Sequence, residues 1–133
     1  MKRSLGISAL MGTMALVVML FLTTGSAFAD ESAAAVPQVP TKGMVTMVDL
    51  GASGCIPCEI MSREVDSLQK KYQGKAAIYF INIRTYPLEA QKFGIKLIPT
   101  QIFYDKNGKE VYRHEGVMPE GAIIAKLQSL GVE

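Results

Sequence analysis

Cys55 and Cys58 bracket the dipeptide Ile56-Pro57. A thiolate attacks disulfide sulfur, and a second thiol one helical turn away can displace the product, so this spacing suits thiol–disulfide exchange. Gly51-Ala52-Ser53-Gly54, just before the pair, reads as a loop. After it, Met61, Val65, Leu68 and Tyr72 recur at steps of four, three and four, which marks one face of a helix. The pair therefore opens a helix. Unpaired amides and the helix dipole favour negative charge there, and thiols so placed fall to roughly pKa 3.5–7.5. That makes Cys55 the attacking sulfur and Cys58 the resolving one. Pro57 suits the first turn, where an amide hydrogen has no intrahelical partner.

Other uses of two cysteines fit less well. A metal would have to draw on His114, Asp and Glu, because no other thiol exists in the chain. Covalent haem attachment needs His directly after the second cysteine, and Glu59 stands there. A structural disulfide closing so small a loop constrains the unfolded chain little. No metal and no cofactor is expected.

The elements that must position the pair are readable in outline. Met44 to Leu50 is apolar on both faces, as in a central buried strand, with Asp49 as an exception. Gly74 closes the helix that follows, and Ala76 to Ile83 forms a second strand. Pro87 opens a short helix that ends at Gly94. Thr100 to Tyr104 and Glu110 to His114 flank Asn107-Gly108, a strong hairpin signal. From Pro119, a last helix aligns Ile123, Ile124, Leu127 and Leu130 before Gly131. A parallel strand pair with a helical crossover, joined to an antiparallel hairpin, gives an α/β fold: a mixed sheet covered by helices.

The chain begins with an export signal. Lys2 and Arg3 precede an uncharged apolar stretch from Leu5 to Leu22, and Ala27-Phe28-Ala29 is a small-x-small cleavage site. Residues 1–29 are thus expected to be a cleavable signal peptide, with retention as a membrane anchor the alternative. Residues 30–42, rich in Ala and carrying Pro37 and Pro40, read as a tether, and residues 43–133 as the working domain. The protein is expected in the periplasm or another extracytoplasmic, oxidising compartment.

Composition narrows the classes. The 133 residues suit one domain with an appendage, and 49% hydrophobic content excludes wholesale disorder. The formal charge is +2, and Lys2 and Arg3 account for it, so the chain beyond the leader is formally neutral. That leaves no basic footprint for nucleic acid. A monomer is the default expectation.

The chain resembles the thioredoxin family. Val48-Asp49-Leu50-Gly51-Ala52-Ser53-Gly54-Cys55-Ile56-Pro57-Cys58 is similar to the family's Val-Asp-Phe-Trp-Ala-x-Trp-Cys-Gly-Pro-Cys without gaps. Phe93-Gly94-Ile95 and Ile98-Pro99-Thr100 look like its Tyr-Gly-Ile and Ile-Pro-Thr, and the Asn107-Gly108 hairpin and Gly116 also match. The resemblance runs from about Met44 to Leu130. It implies a thioredoxin-like sheet whose first strand and helix are shortened or absent. It implies that Pro99 is a cis-proline facing the cysteines, and that Asp49 is a buried acid exchanging a proton with Cys58. Ile56, Pro57, Ile98, Thr100 and Gly116 would line the groove for partner proteins.

Three departures bear on the site. Gly51 and Gly54 replace two tryptophans, which predicts a flatter, more flexible and less aromatic surface around Cys55. Phe80 stands where a Lys usually neighbours the acid, which predicts that Asp49 is harder to ionise. Ile56 replaces Gly between the cysteines. The resemblance implies reduction of disulfides in exported partner proteins, with electrons from a membrane-embedded thiol donor. The alternatives are an oxidase or isomerase of exported proteins, and a non-catalytic redox-sensing or metal-delivery module.

Overall fold

The computed structural model describes residues 36–133. The expected export signal and the start of the expected tether lie outside the described residues.

Seven elements follow one another: β1 (Thr46–Gly51), α1 (Ile56–Lys71), β2 (Ala77–Asn82), α2 (Pro87–Lys92), β3 (Thr100–Tyr104), β4 (Glu110–Glu115) and α3 (Glu120–Ser129). They form one four-stranded sheet in the order β2-β1-β3-β4. β1 runs parallel to β2 and antiparallel to β3, and β3 is antiparallel to β4. This is the expected mixed sheet. Its element order also matches the sequence pattern, because Pro and Gly punctuate nearly every boundary. Pro87 sits in the first turn of α2, and Gly74 and Gly108 take φ values of 77° and 81°, a region that side chains disfavour. The last helix starts one residue later than Pro119, which serves as its N-cap.

The strand alternation divides the core in two. Val45, just before β1, and Met47 of β1 lie in one cluster with Met61, Val65 and Leu68 of α1, Phe103 of β3, and Ile123 and Leu127 of α3. Val48 and Leu50 face the opposite cluster with Ile81, Phe93, Ile102 and Tyr104. A central strand covered on both sides reads as continuously apolar, which explains the Met44–Leu50 run. Each large side chain fully buried this way contributes about 1.5–3 kcal/mol.

The packed unit begins before residue 43. Val39 is buried in the second cluster, and Val36 packs against it. The Thr41 hydroxyl meets the Tyr79 hydroxyl at 2.9 Å, and the Thr41 amide donates to Thr46 Oγ1 at 3.0 Å. The described end of the expected tether, residues 36–42, is therefore docked rather than free. Two valines, one before each proline, supply apolar area that a tether does not need. Residues 36–43 form no strand or helix.

At the other end of the sheet, the register aligns four strand termini. Gly51 pairs with Asn82, Leu50 with Thr100, and Thr100 with Glu115. The loop carrying Cys55, the turn ending at Pro99 and the exit through Gly116 all leave from this edge.

Candidate functional site: a cysteine pair above a buried acid

Cys55 and Cys58 form a disulfide, with their Cα atoms 5.2 Å apart. Cys55 is the N-cap of α1 in an extended conformation (φ −107°, ψ 108°), and no side chain caps the helix by a hydrogen bond. Its carbonyl accepts the Glu59 amide at 3.0 Å, the first bond of the helix. The remaining first-turn amides are thus available to a negative sulfur once the disulfide opens. Cys55 is half-buried, whereas Cys58 is only 1% exposed. The two sulfurs are therefore unequal: one meets solvent and partners, and the other faces the sheet. Pro57 lies in the first turn, as expected.

Beneath the helix lies Asp49. It follows Met47 by two positions on β1, so its side chain points to the α1 face. It is fully buried, which discards an exposed strand-end position. Gln101 Nε2 donates to its Oδ1 at 2.7 Å, while Oδ2 has no partner. Burial pushes the Asp49 carboxyl up from 3.8 to about 7, and the hydrogen bond from Gln101 opposes part of that rise. The register pairs Asp49 with Phe80 on one side and Gln101 on the other, so an aromatic ring and an amide flank the acid.

The Gly51 expectation needs correction. Gly51 is buried, and a Cβ there would lie 2.8 Å from Phe80 Cε2 and 3.0 Å from Cys58 Cβ. The ring has moved from residue 51 to residue 80, and the surface near Cys58 is not stripped of aromatic cover. Gly54, by contrast, is exposed, has φ 73°, and has only Arg84 Nη1 near its Cβ position, at 3.6 Å. Asn82 Nδ2 donates to Ser53 Oγ and ties the loop to the end of β2. An open cleft of about 240 Å³ reaches Cys58 here, lined by Ser53, Glu59, Ser62, Phe80 and Asn82 among others.

The proposed groove residues gather at the same sheet edge. The Ile98–Pro99 peptide is cis, and Pro99 is buried. The Gly116 amide donates to the Pro99 carbonyl at 2.8 Å, and Thr100 Oγ1 donates to Leu97 O at 2.6 Å. Ile98 is half-buried, while Ile56 is 76% exposed and Leu97 is 53% exposed. Thr100 is fully buried, so it anchors the turn through its hydroxyl and does not line an open surface. That is a correction to its expected place in the groove. Its register partner Leu50 belongs to the core, which draws Thr100 inward.

Nothing in the sequence singles out Gln101. It is a lone amide within Thr100–Tyr104, and its importance depends on the strand register that sets it beside Asp49. Among the described residues, no group of three or more His, Cys, Asp or Glu side chains comes together as a metal site requires.

Comparison with known proteins agrees with this geometry. The model of the thioredoxin-like domain matches residues 33–131, and the chain belongs to that family. Thioredoxin 2 of Chlorobaculum tepidum is 36% identical over 83 residues, covering 62% of this chain and 75% of that protein. The M-type chloroplastic thioredoxin of Pisum sativum is 35% identical over 82 residues, but this chain spans only 47% of its length. Among solved structures, Fasciola hepatica thioredoxin superposes with a TM-score of 0.59 at 27% identity, covering 66% of this chain and 82% of that one. The protein is a thioredoxin-like redox protein with a paired Cys55–Cys58 disulfide.

Proposed function

We propose that the protein is an exported thiol–disulfide oxidoreductase that reduces disulfides in partner proteins. The observation that carries this reading is the asymmetry of the pair: Cys55 is half-exposed at a free helix N-terminus, and Cys58 is buried against Gly51, two positions along β1 from the buried Asp49.

In the reduced protein, the Cys55 thiolate attacks one sulfur of a partner disulfide. That S–S bond breaks, its other sulfur leaves as a thiolate that takes a proton, and a mixed disulfide forms. Cys58 then gives its proton to the Asp49 carboxylate and attacks the Cys55 sulfur. The partner leaves as a dithiol, and the enzyme holds the Cys55–Cys58 disulfide. Two electrons have moved to the partner, and a donor dithiol must return them. A carboxyl with a pKa of about 7 suits this exchange, because it accepts and releases a proton near neutral pH. Ile56, Pro57, Ile98, Pro99 and Gly116 would present the partner's backbone to Cys55.

The leader supports an extracytoplasmic location, where a reductant needs electrons from the other side of the membrane. A membrane-embedded thiol donor is the class of partner that supplies them. Pro before the second cysteine and Ile before the cis-proline resemble reducing members of the family, which supports the direction assigned.

Insulin disulfide reduction tests turnover: wild type should far outpace Cys55→Ser, and equal rates would end the enzyme reading. Equilibration against defined thiol buffers tests direction. A potential near or below ~−270 mV supports a reductant, and one near ~−120 mV an oxidant.

A further inference from the structure

Two buried polar atoms lack a partner among the described residues, and they belong to adjoining side chains: Asp49 Oδ2 and Gln101 Oε1. Both residues are fully buried, and they are joined by the Gln101 Nε2 to Asp49 Oδ1 bond of 2.7 Å. Orphans of this kind are rare and costly when buried. A carboxylic acid carries one donor and one acceptor side by side, and so does a primary amide. A proton on Oδ2 leaves the Gln101 Nε2 bond to Oδ1 in place, though weaker because its acceptor is then neutral. With the proton gone, the amide still holds Oδ1, and Oδ2 is again the vacant oxygen.

We propose that Gln101 is the positioning residue of the resolving step: its amide grips Asp49 in both protonation states and reserves Oδ2 as the oxygen that carries the proton. This rests on the reading of Asp49 as the proton acceptor for Cys58. Each turnover moves one proton from the Cys58 sulfur to Oδ2 and later returns it to solvent, with no electrons passing through the pair. Ionisable neighbours on this face are few. α1 contributes Cys58 and, at the cleft, Glu59, while β2 contributes the unionisable Phe80. β4 sets His114 beside Gln101 in register, with Nε2 3.3 Å from the Val117 carbonyl oxygen. The α3 residues facing this core, Ile123 and Leu127, are apolar.

The test is an NMR titration of the oxidised full chain, following the Asp49 side-chain carboxyl carbon and the Gln101 Nε2 nitrogen. In wild type, both signals should move with one midpoint near pH 7. In Gln101→Leu, the carboxyl midpoint should rise by about one pH unit, the effect of losing one bond to a charged acceptor. The pH profile of single-turnover resolution should move with it, and the shift should vanish in an Asp49→Asn background. A Gln101 nitrogen that ignores the Asp49 titration, or an unmoved midpoint in Gln101→Leu, overturns the proposal. The wild-type measurement stands even if the variant does not fold. The outcomes also separate from the functional reading: the titration needs no turnover, so a wild type inert toward disulfides ends the oxidoreductase reading while the Asp49–Gln101 linkage is still decided.

Discussion

The ring of Phe80 fills the space that a side chain at residue 51 would need. Its Cε2 lies 2.8 Å from the position of a Gly51 Cβ, and Cys58 Cβ closes the other side at 3.0 Å. One strand carries no side chain here and its neighbour supplies a ring, so the space beside Cys58 is filled at this point of the sheet.

That complementarity predicts the behaviour of Gly51→Ala. The added methyl meets Cys58 Cβ, which is fixed to the helix, and the Phe80 ring must also move. Overpacking of this kind costs about 1–3 kcal/mol. Phe80→Ala removes one of the two obstacles, so the double variant should be more stable than the sum of the single effects implies. Urea unfolding of the four proteins in the cycle measures the coupling. Strict additivity would show that the ring does not compensate for the glycine.

Asp49 predicts a pH dependence of stability. Its folded pKa of about 7 lies above the 3.8 of a free carboxyl. The folded state therefore binds the proton more tightly than the unfolded chain. Its stability falls as pH rises from about 3.8 through about 7, and the loss levels off above that. The full cost is on the order of 4 kcal/mol. Asp49→Asn keeps the shape and removes the ionisation. It should stabilise the oxidised protein by a few kcal/mol at pH 8 and by almost nothing at pH 4. Denaturant midpoints at these two pH values check this, and a gain independent of pH would contradict it.

The fold was legible where periodicity and punctuation agreed. Met61, Val65, Leu68 and Tyr72 marked a helical face, Asn107-Gly108 marked a hairpin, and Pro87 marked a helix start. Relationships across strands were not legible in the same way. Gly51 and Phe80 each stand out in the sequence, but their contact depends on a register that no local pattern encodes. Gln101 passed unnoticed because one polar residue in a short strand looks like an exposed position. It becomes conspicuous only when Asp49 is seen opposite. Residues 36–42 read as a spacer for a different reason: two prolines, after a run of alanines, suggest one, while Val36 and Val39 carry enough apolar surface to dock.

Arg113 joins β4 to the end of α2. Its Nη1 donates to the Phe93 carbonyl at 2.9 Å, while Nε and Nη2 bind Glu110 at 2.8 and 3.0 Å. The guanidinium makes all three bonds because its donors are fixed in a planar fork. Lys offers one compact charge and cannot reach both groups in that way. Arg113→Lys should therefore destabilise by about 1 kcal/mol, mostly through the Phe93 carbonyl, since an ion pair this exposed contributes little by itself. Thermal unfolding in low and high salt separates the two parts. A loss that disappears in high salt would assign the effect to Glu110 instead.

The unequal burial of the cysteines predicts unequal reactivity. After reduction, Cys55 retains solvent access and the free amides of α1, while Cys58 lies 1% exposed against Gly51 and the sheet. The thiolate is the reactive form, and the helix terminus favours it at residue 55. A small alkylating agent such as iodoacetamide should therefore modify Cys55 at least ~10-fold faster than Cys58, a ratio that follows from a pKa difference of one unit or more. Mass spectrometry of reduced protein quenched at short times should find a single adduct on the peptide bearing residue 55. The same asymmetry makes Cys58→Ser a trap, because its mixed disulfide through Cys55 has no internal thiol to release it. Cys55→Ser should form no comparable adduct with a partner disulfide. Equal alkylation of the two thiols would mean that reduction opens the helix start and exposes Cys58. Neither burial nor pKa would then separate an attacking sulfur from a resolving one.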